Sequence, residues 1–342
     1  MKVIYGGGDE DHDPSFFLIR GQVQTSAEQP ERAQILLEAA KRAGLEQEAP
    51  AAAPLGPIAA VHTPEYLDFL AKAYEEWQAL PNAGKEIIPN IHPARQPASY
   101  PRAIVGRSGY HQADTACPIG PKTYEAALAS AARALHAADR LLDGEDGVYA
   151  LCRPPGHHAY ADMAGGFCFL NNAAIAAQSL LSDGGGVAIL DVDVHAGNGT
   201  QGIFYRRSDV LTLSIHADPA DYYPFFWGHA DERGVADGEG YNLNLPLPVG
   251  SGDEAFLAAL ETACRRIAHF APDYLVIALG LDAHEADPLH GMTVTTPGFA
   301  VIAERIAKMS IPTLLVQEGG YLSPVLGENL EAFLTGFQEG RA

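Results

Sequence analysis

Apolar positions along the chain fall into two alternating patterns. Unbroken runs such as VAIL, YLVIAL and TLLV lack the polar alternation of a half-exposed strand, so they predict strands buried on both faces. Strands are expected at Lys2–Tyr5, Gly147–Cys152, Gly186–Leu190, Val210–Ser214, Tyr274–Leu279 and Pro312–Gln317. Between them lie stretches with a helical repeat: Pro30–Ala43, where Ile35, Leu36 and Ala39 share a face, then Pro64–Trp77, Tyr124–Leu142, Asn171–Leu181, Asp253–Phe270 and Pro297–Lys308. Alternating strands and helices of this kind indicate an α/β chain with a parallel sheet covered on both faces. The stretch Ala79–Pro121 breaks the pattern with seven prolines (Pro81, Pro89, Pro93, Pro97, Pro101, Pro118, Pro121) and no sustained period. A loop of that length in a compact chain generally has a function. No linker, internal repeat or low-complexity segment divides residues 123–335.

Four polar clusters each directly follow an expected strand: Arg153–His158, Asp191–Thr200, Asp282–Asp287 and Glu318–Tyr321. In open parallel sheets ligands bind beyond the carboxyl ends of the strands, so these clusters should meet at one mouth. In Asp191-Val-Asp193-Val-His195, alternation by two puts Asp191, Asp193 and His195 on one side of an extended chain. Asp193 and His195 have the spacing of metal ligands, and Asp282 is the third candidate that a catalytic zinc with an open position requires. Taken singly, such residues would read as helix caps. The tandem His157-His158 on a Pro-Pro-Gly turn is either a surface turn or, beside a metal, a pair suited to acid–base work. Asp191 and Asn198 lie on the facing loop, where they could fix the two imidazole tautomers. Tyr321, after paired glycines, could donate to a developing oxyanion or simply close a tight turn. Phe167, after Gly165-Gly166, and Tyr223 could pack in the core or form a slot for a methylene chain.

Composition narrows the classes. The 342 residues include 47% hydrophobic and 19% charged positions with no long apolar run, which excludes a spanning helix and disorder. Forty-three acids against 22 bases give a net charge of −21, which disfavours nucleic acid as a partner and is compatible with a cationic substrate. Cys117, Cys152, Cys168 and Cys264 form no C-x-x-C pair and are read as reduced core residues. The segment MKVIYGGGDEDHD carries no secretory h-region, so the expected location is cytoplasmic, with no membrane association.

Taken in order, RPPGHHA, GGFCFLNNAA, DVDVHAGNGT, LTLSIH, LGLDAHEADP and EGGY resemble the zinc-dependent histone deacetylase and acetylpolyamine amidohydrolase family, over nearly the whole chain from ERAQILLEA and HTPEYLDFL to Tyr321. The resemblance implies the arginase/deacetylase fold, a three-layer α/β/α arrangement around an eight-stranded parallel sheet, in one domain spanning 1–342. It implies zinc on Asp193, His195 and Asp282, with Fe²⁺ as an alternative native metal. His157, His158 and Tyr321 would be catalytic, with Asp191 supporting His157 and Asn198 supporting His158. A structural K⁺ would fall on Asp191, Asp193, His195, Ser214 and Ile215, and a second on Phe204, Arg207, Val210 and Tyr241. Gly166, Phe167 and Tyr223 would line the substrate channel. Hydrolysis would proceed by metal-activated water without a covalent intermediate.

The long stretch at about 79–121 makes the chain look most like the bacterial acetylpolyamine amidohydrolases, in which such a segment narrows the entrance and helps form a homodimer. The implied substrates are small acetylated amines, with acetyl-lysine in proteins or peptides as the alternative. The chain departs from the family's pattern at Ala196, where a second histidine is usual. Val105 and Ala116 stand where polyamine-specific members place entrance acids, with Glu86 and Asp114 as nearby substitutes. An arginase-like ureohydrolase would need ligands for two Mn²⁺ ions, against which the tandem histidines and EGGY count. A metal-bearing binding protein without activity would not need the catalytic positions present here.

Overall fold

The computed structural model describes residues 1–93, 98–181 and 184–342. Pro97 of the proline-rich stretch lies outside them. The strands are β1 (Lys2–Ile4), β2 (Phe16–Ile19), β3 (Gln22–Thr25), β4 (Glu46–Glu48), β5 (Gly147–Ala150), β6 (Val187–Asp191), β7 (Val210–Ala217), β8 (Asn242–Leu247), β9 (Tyr274–Leu279) and β10 (Thr313–Gln317). The helices are α1 (Glu31–Arg42), α2 (Leu55–Ala59), α3 (Pro64–Gln78), α4 (Ile104–His111), α5 (Thr123–Leu142), α6 (Asn172–Leu180), α7 (Asn198–Phe204), α8 (Asp253–Phe270), α9 (Thr296–Ala307) and α10 (Leu326–Arg341).

Eight strands form one parallel sheet in the order β4-β1-β5-β10-β9-β6-β7-β8, as the resemblance implied. The remaining two, β2 and β3, make an antiparallel hairpin. Strand period 2 explains the two cores. Ala188 and Leu190 of β6 face one cluster with Leu275 and Ile277 of β9, while Val187 and Ile189 face the other with Val276 and Ala278. Helices α1, α8, α9 and α10 cover the first face, and α3, α5 and α6 the second. The helix starts have local causes: Thr63 caps α3 with Pro64 just inside, Thr295 caps α9, and the Asn171 side chain accepts from Ala174 N to cap α6.

Besides the hairpin strands β2 and β3, two strands of the parallel sheet escaped the sequence pattern, and both are edges. β4 is only three polar residues, Glu-Gln-Glu, and β8 carries Pro246, which an edge strand tolerates because it lacks one ladder neighbour. The stretch 79–121 also holds a helix, α4, that its prolines and glycines concealed. The four strands that precede the polar clusters, β5, β10, β9 and β6, are adjacent at the centre of the sheet, so all four clusters share one end.

Candidate active site

At the end of β6 the chain turns so that successive side chains cap the next backbone amides: Asp193 N donates to Asp191 Oδ1 (3.0 Å) and His195 N to Asp193 Oδ1 (2.9 Å). Asp282, beyond β9, accepts from Val194 N through Oδ1 at 3.1 Å, which fixes it beside the same loop. One ligand atom each from Asp193, His195 and Asp282 lies within 4.8 Å of the others, and all three residues are buried. His195 Nδ1 is 2.9 Å from Asp193 Oδ1 and 3.2 Å from Asp282 Oδ2. Asp282 Oδ2 is fully buried and makes no hydrogen bond among the described residues, its ion-pair contact being His195 Nδ1. A buried carboxylate oxygen without a hydrogen bond costs free energy unless a cation meets it. Two carboxylates and an imidazole, converging there, form a donor set that fits a divalent ion such as zinc.

His157 and His158 are not on a surface turn; both are buried, with ring centroids 4.0 Å apart. His157 Nδ1 lies 2.8 Å from Asp191 Oδ2, and His158 Nδ1 lies 2.6 Å from Asn198 Oδ1. The Asn198 amide is oriented in turn, since its Nδ2 donates to Tyr160 Oη at 3.2 Å. The two environments push the rings apart electrically. Burial opposes charge on His157, but Asp191, Asp193 and Glu318 outweigh it and raise its pKa well above 6.5. Burial, with the charges of His157 and His195, drives that of His158 well below 6.5. Such divergence separates the roles of two chemically identical groups.

Glu318 was legible only as the first letter of EGGY, but it holds the histidine turn. Its Oε2 accepts from Gly156 N (2.6 Å) and His157 N (3.0 Å), and burial raises its pKa to about 7. Arg32 of α1 is a second residue that sequence reasoning missed. It donates to Glu28 Oε1 (2.8 Å), Gly320 O (2.6 Å) and Glu318 O (2.7 Å), and its guanidinium sits 4.9 Å from the Tyr321 ring centroid. Its only signal was an arginine on the apolar face of an amphipathic helix. Tyr321 itself is buried, and its N–H donates to Asp287 Oδ2 at 2.9 Å.

Phe167 stands edge-on to Tyr321 at 5.7 Å, and Tyr223 edge-on to His158 at 5.0 Å, so the two aromatics flank the histidine pair and the phenol. Gly166 is needed for space: a Cβ there would lie 2.4 Å from His158 Cδ2. Tyr222, unremarked in the sequence, stacks on His195 at 5.3 Å. Asp191 and Ser214 line a small internal cavity with Gly197, Thr200, Thr212 and Asn244, while Ile215 is buried in the apolar core. Phe204, Arg207 and Val210 follow one another from the end of α7 into β7, with Arg207 N donating to Phe204 O (2.9 Å) and Thr212 N to Tyr241 O (3.0 Å). Ala196 is buried, and its carbonyl accepts from Asn198 N at 2.8 Å. Of the entrance candidates, Glu86 accepts from Ser15 N (2.8 Å) and Ser15 Oγ (3.2 Å), whereas Asp114 accepts from the Tyr223 hydroxyl (2.6 Å).

A donor trio of this composition, buried beside two histidines whose pKa values diverge, is the apparatus of a metal-dependent hydrolase. The comparisons with known proteins make the assignment specific. A family model described as the histone deacetylase domain matches residues 26–337. The chain is 46% identical to an acetylpolyamine amidohydrolase of Burkholderia pseudomallei over 95% of each sequence. It is 44% identical to acetylpolyamine amidohydrolase 1 of Pseudomonas aeruginosa over 99% of each. A crystal structure of acetylpolyamine aminohydrolase from Burkholderia pseudomallei superposes with a TM-score of 0.95 at 45% identity, covering 98% of both chains. The chain therefore belongs to the histone deacetylase family of amide hydrolases and has its arginase/deacetylase fold.

Proposed function

We propose that the chain is a zinc-dependent deacetylase of small acetylated amines, the acetylpolyamines and acetylated diamines. The observation that carries this reading is the convergence of buried Asp193, His195 and Asp282, whose Oδ2 makes no hydrogen bond among the described residues, beside the histidine pair, in a chain whose relatives named acetylpolyamine amidohydrolase match it over 95–99% of its length. Asp193, His195 and Asp282 would hold the ion, which supplies Lewis acidity for an amide carbonyl and a water when bound. His158, with Nδ1 engaged by Asn198, presents Nε2 to take the proton of that water. His157, held positive by Asp191, steadies negative charge as it develops. The Tyr321 hydroxyl donates to the oxygen of the tetrahedral adduct, and the proton held by the histidine pair passes to the leaving amine. Phe167 and Tyr223 flank the methylene chain, and Gly166 leaves it room.

The same reading takes residues 1–342 as one domain, with the segment at about 79–121 as entrance and homodimer contact. Asp191, Asp193, His195, Ser214 and Ile215 would hold a structural K⁺, and Phe204, Arg207, Val210 and Tyr241 a second. A cytoplasmic location is part of the proposal; among the described residues no helix is long and apolar enough to cross a membrane. Turnover rates of the zinc-loaded protein on acetylputrescine, acetylcadaverine, acetylspermidine and an acetyl-lysine peptide test it. Faster hydrolysis of the free amines is expected. Preference for the peptide would replace the substrate class, and no turnover on any would overturn the mechanism.

A further inference from the structure

One carboxylate, Asp114, ties both walls of the channel to the proline-rich segment. Its Oδ2 accepts from the Tyr223 hydroxyl (2.6 Å) and from Gly166 N (3.1 Å), and its Oδ1 accepts from Ala116 N (2.8 Å). Three donors meet one side chain, and Asp114 enters no ion pair among the described residues. The backbone that carries it is fixed just past the end of α4. Ala113 N donates to Ala164 O and Ala164 N to His111 O, both at 2.8 Å, and the Gln112 amide donates to Cys117 O at 2.7 Å.

Both groups that Asp114 holds need holding. Gly166 and Phe167 have φ of +48° and +68°, a conformation that costs a phenylalanine free energy, and the direction of the Phe167 ring depends on that turn. A charge-assisted hydrogen bond from Gly166 N to a fixed oxygen stabilises it. Across the channel, the hydroxyl is the only polar atom of the Tyr223 side chain. Anchored, it stops the ring from pivoting and keeps it edge-on to His158 at 5.0 Å and His195 at 5.9 Å. A phenylalanine at 223 would fill the same space without that tether.

We infer that Asp114 is a positioning residue that sets the width of the substrate channel, so that the segment 79–121 governs which amines fit through this one carboxylate. The inference rests on the proposed reading that a slim acylated amine passes between Phe167 and Tyr223. An unbranched methylene chain suits walls held in place; a ring or branch next to the amide requires one of them to give.

The test compares kcat and KM of the zinc-loaded wild type, Tyr223→Phe and Asp114→Ala on N-acetylputrescine and on N-acetyl-cyclohexylmethylamine. Asp114→Ala removes both acceptor oxygens and so loosens both walls; Tyr223→Phe frees only one and keeps the fold if the first variant fails. In each variant the ratio of kcat/KM for the linear over the cyclic amine should fall by about fivefold to tenfold, chiefly through KM. A ratio within about twofold of wild type in Tyr223→Phe, or equal losses on both amines, would make Asp114 a residue of the fold alone and overturn the inference. Adding an acetyl-lysine peptide separates the two readings: a wild-type preference for it removes the substrate assignment, while the ratio still judges Asp114.

Discussion

Tyr321 is placed as a donor and kept as one. Burial, then the Asp282 carboxylate, raises its pKa well above 10, so the phenol stays protonated across the working range. Tyr321→Phe keeps the ring against Phe167 and Arg32 and removes only the hydroxyl; kcat should fall by about 10²–10³. Bound zinc, measured by mass spectrometry, should be unchanged, because the hydroxyl is not among the ligand atoms. Loss of zinc with activity would contradict a donor role. At this scale the sequence was informative where an apolar strand ends abruptly in polar letters, which is how Asp193, His195, Asp282 and the histidine pair were found. It was silent on Arg32, showed Glu318 only as the first letter of EGGY, and offered Asp114 only as a substitute entrance acid. Arg32 meets Glu318 across 286 positions, and Tyr223 meets Asp114 across 109, so their roles exist only once the chain has folded.

Among the elements, the loop after β10 is constrained directly by the candidate metal ligands. A Cβ on Gly319 would lie 2.1 Å from Asp282 Oδ2 and 2.5 Å from Asp193 Oδ2, and Gly319 N donates to Asp193 Oδ2 at 2.8 Å. Gly319→Ala should therefore displace both carboxylates. The expected result is zinc affinity lowered at least about tenfold, with apo stability reduced by about 1–3 kcal/mol from overpacking. Zinc titration and urea unfolding of the metal-free protein measure the two effects, and a variant matching wild type in zinc binding would contradict the geometry. The central strands were legible because only doubly buried strands lose polar alternation. β4 and β8 were not, because an edge strand has one neighbour and less to bury. α4 was hidden for a different reason: its eight residues sit among prolines, and tertiary contacts rather than periodicity hold it.

For the whole molecule, burial of neutral histidines sets a lower pH limit on stability. Burial pushes His62 down to about 4, His216 to about 4, and His12, with Arg153 beside it, to about 3. Each folded pKa lies below the unfolded value near 6.5. The unfolded chain therefore binds the extra proton first, and stability is full above pH 6.5 and falls as the pH drops toward 4. The Nε2 of His62 accepts from Asn171 N at 2.9 Å, an acceptor that glutamine can replace. Between pH 6.5 and 4.5 the stability of His62→Gln should fall less steeply than that of wild type, by about one proton's worth of slope. Parallel curves in denaturant titrations across that range would contradict this.

The central claim joins these scales: Asp193, His195 and Asp282 hold a metal ion that the surrounding residues use to hydrolyse an acetylated amine. Its most direct measurement follows zinc content and N-acetylputrescine turnover together, as chelator-stripped protein is reloaded stepwise, for wild type and Asp282→Asn in parallel. The account expects activity to rise in proportion to zinc up to one equivalent per chain in wild type, and Asp282→Asn to bind zinc weakly and stay inactive. Full activity in the stripped protein, or a variant that binds and turns over like wild type, would contradict it.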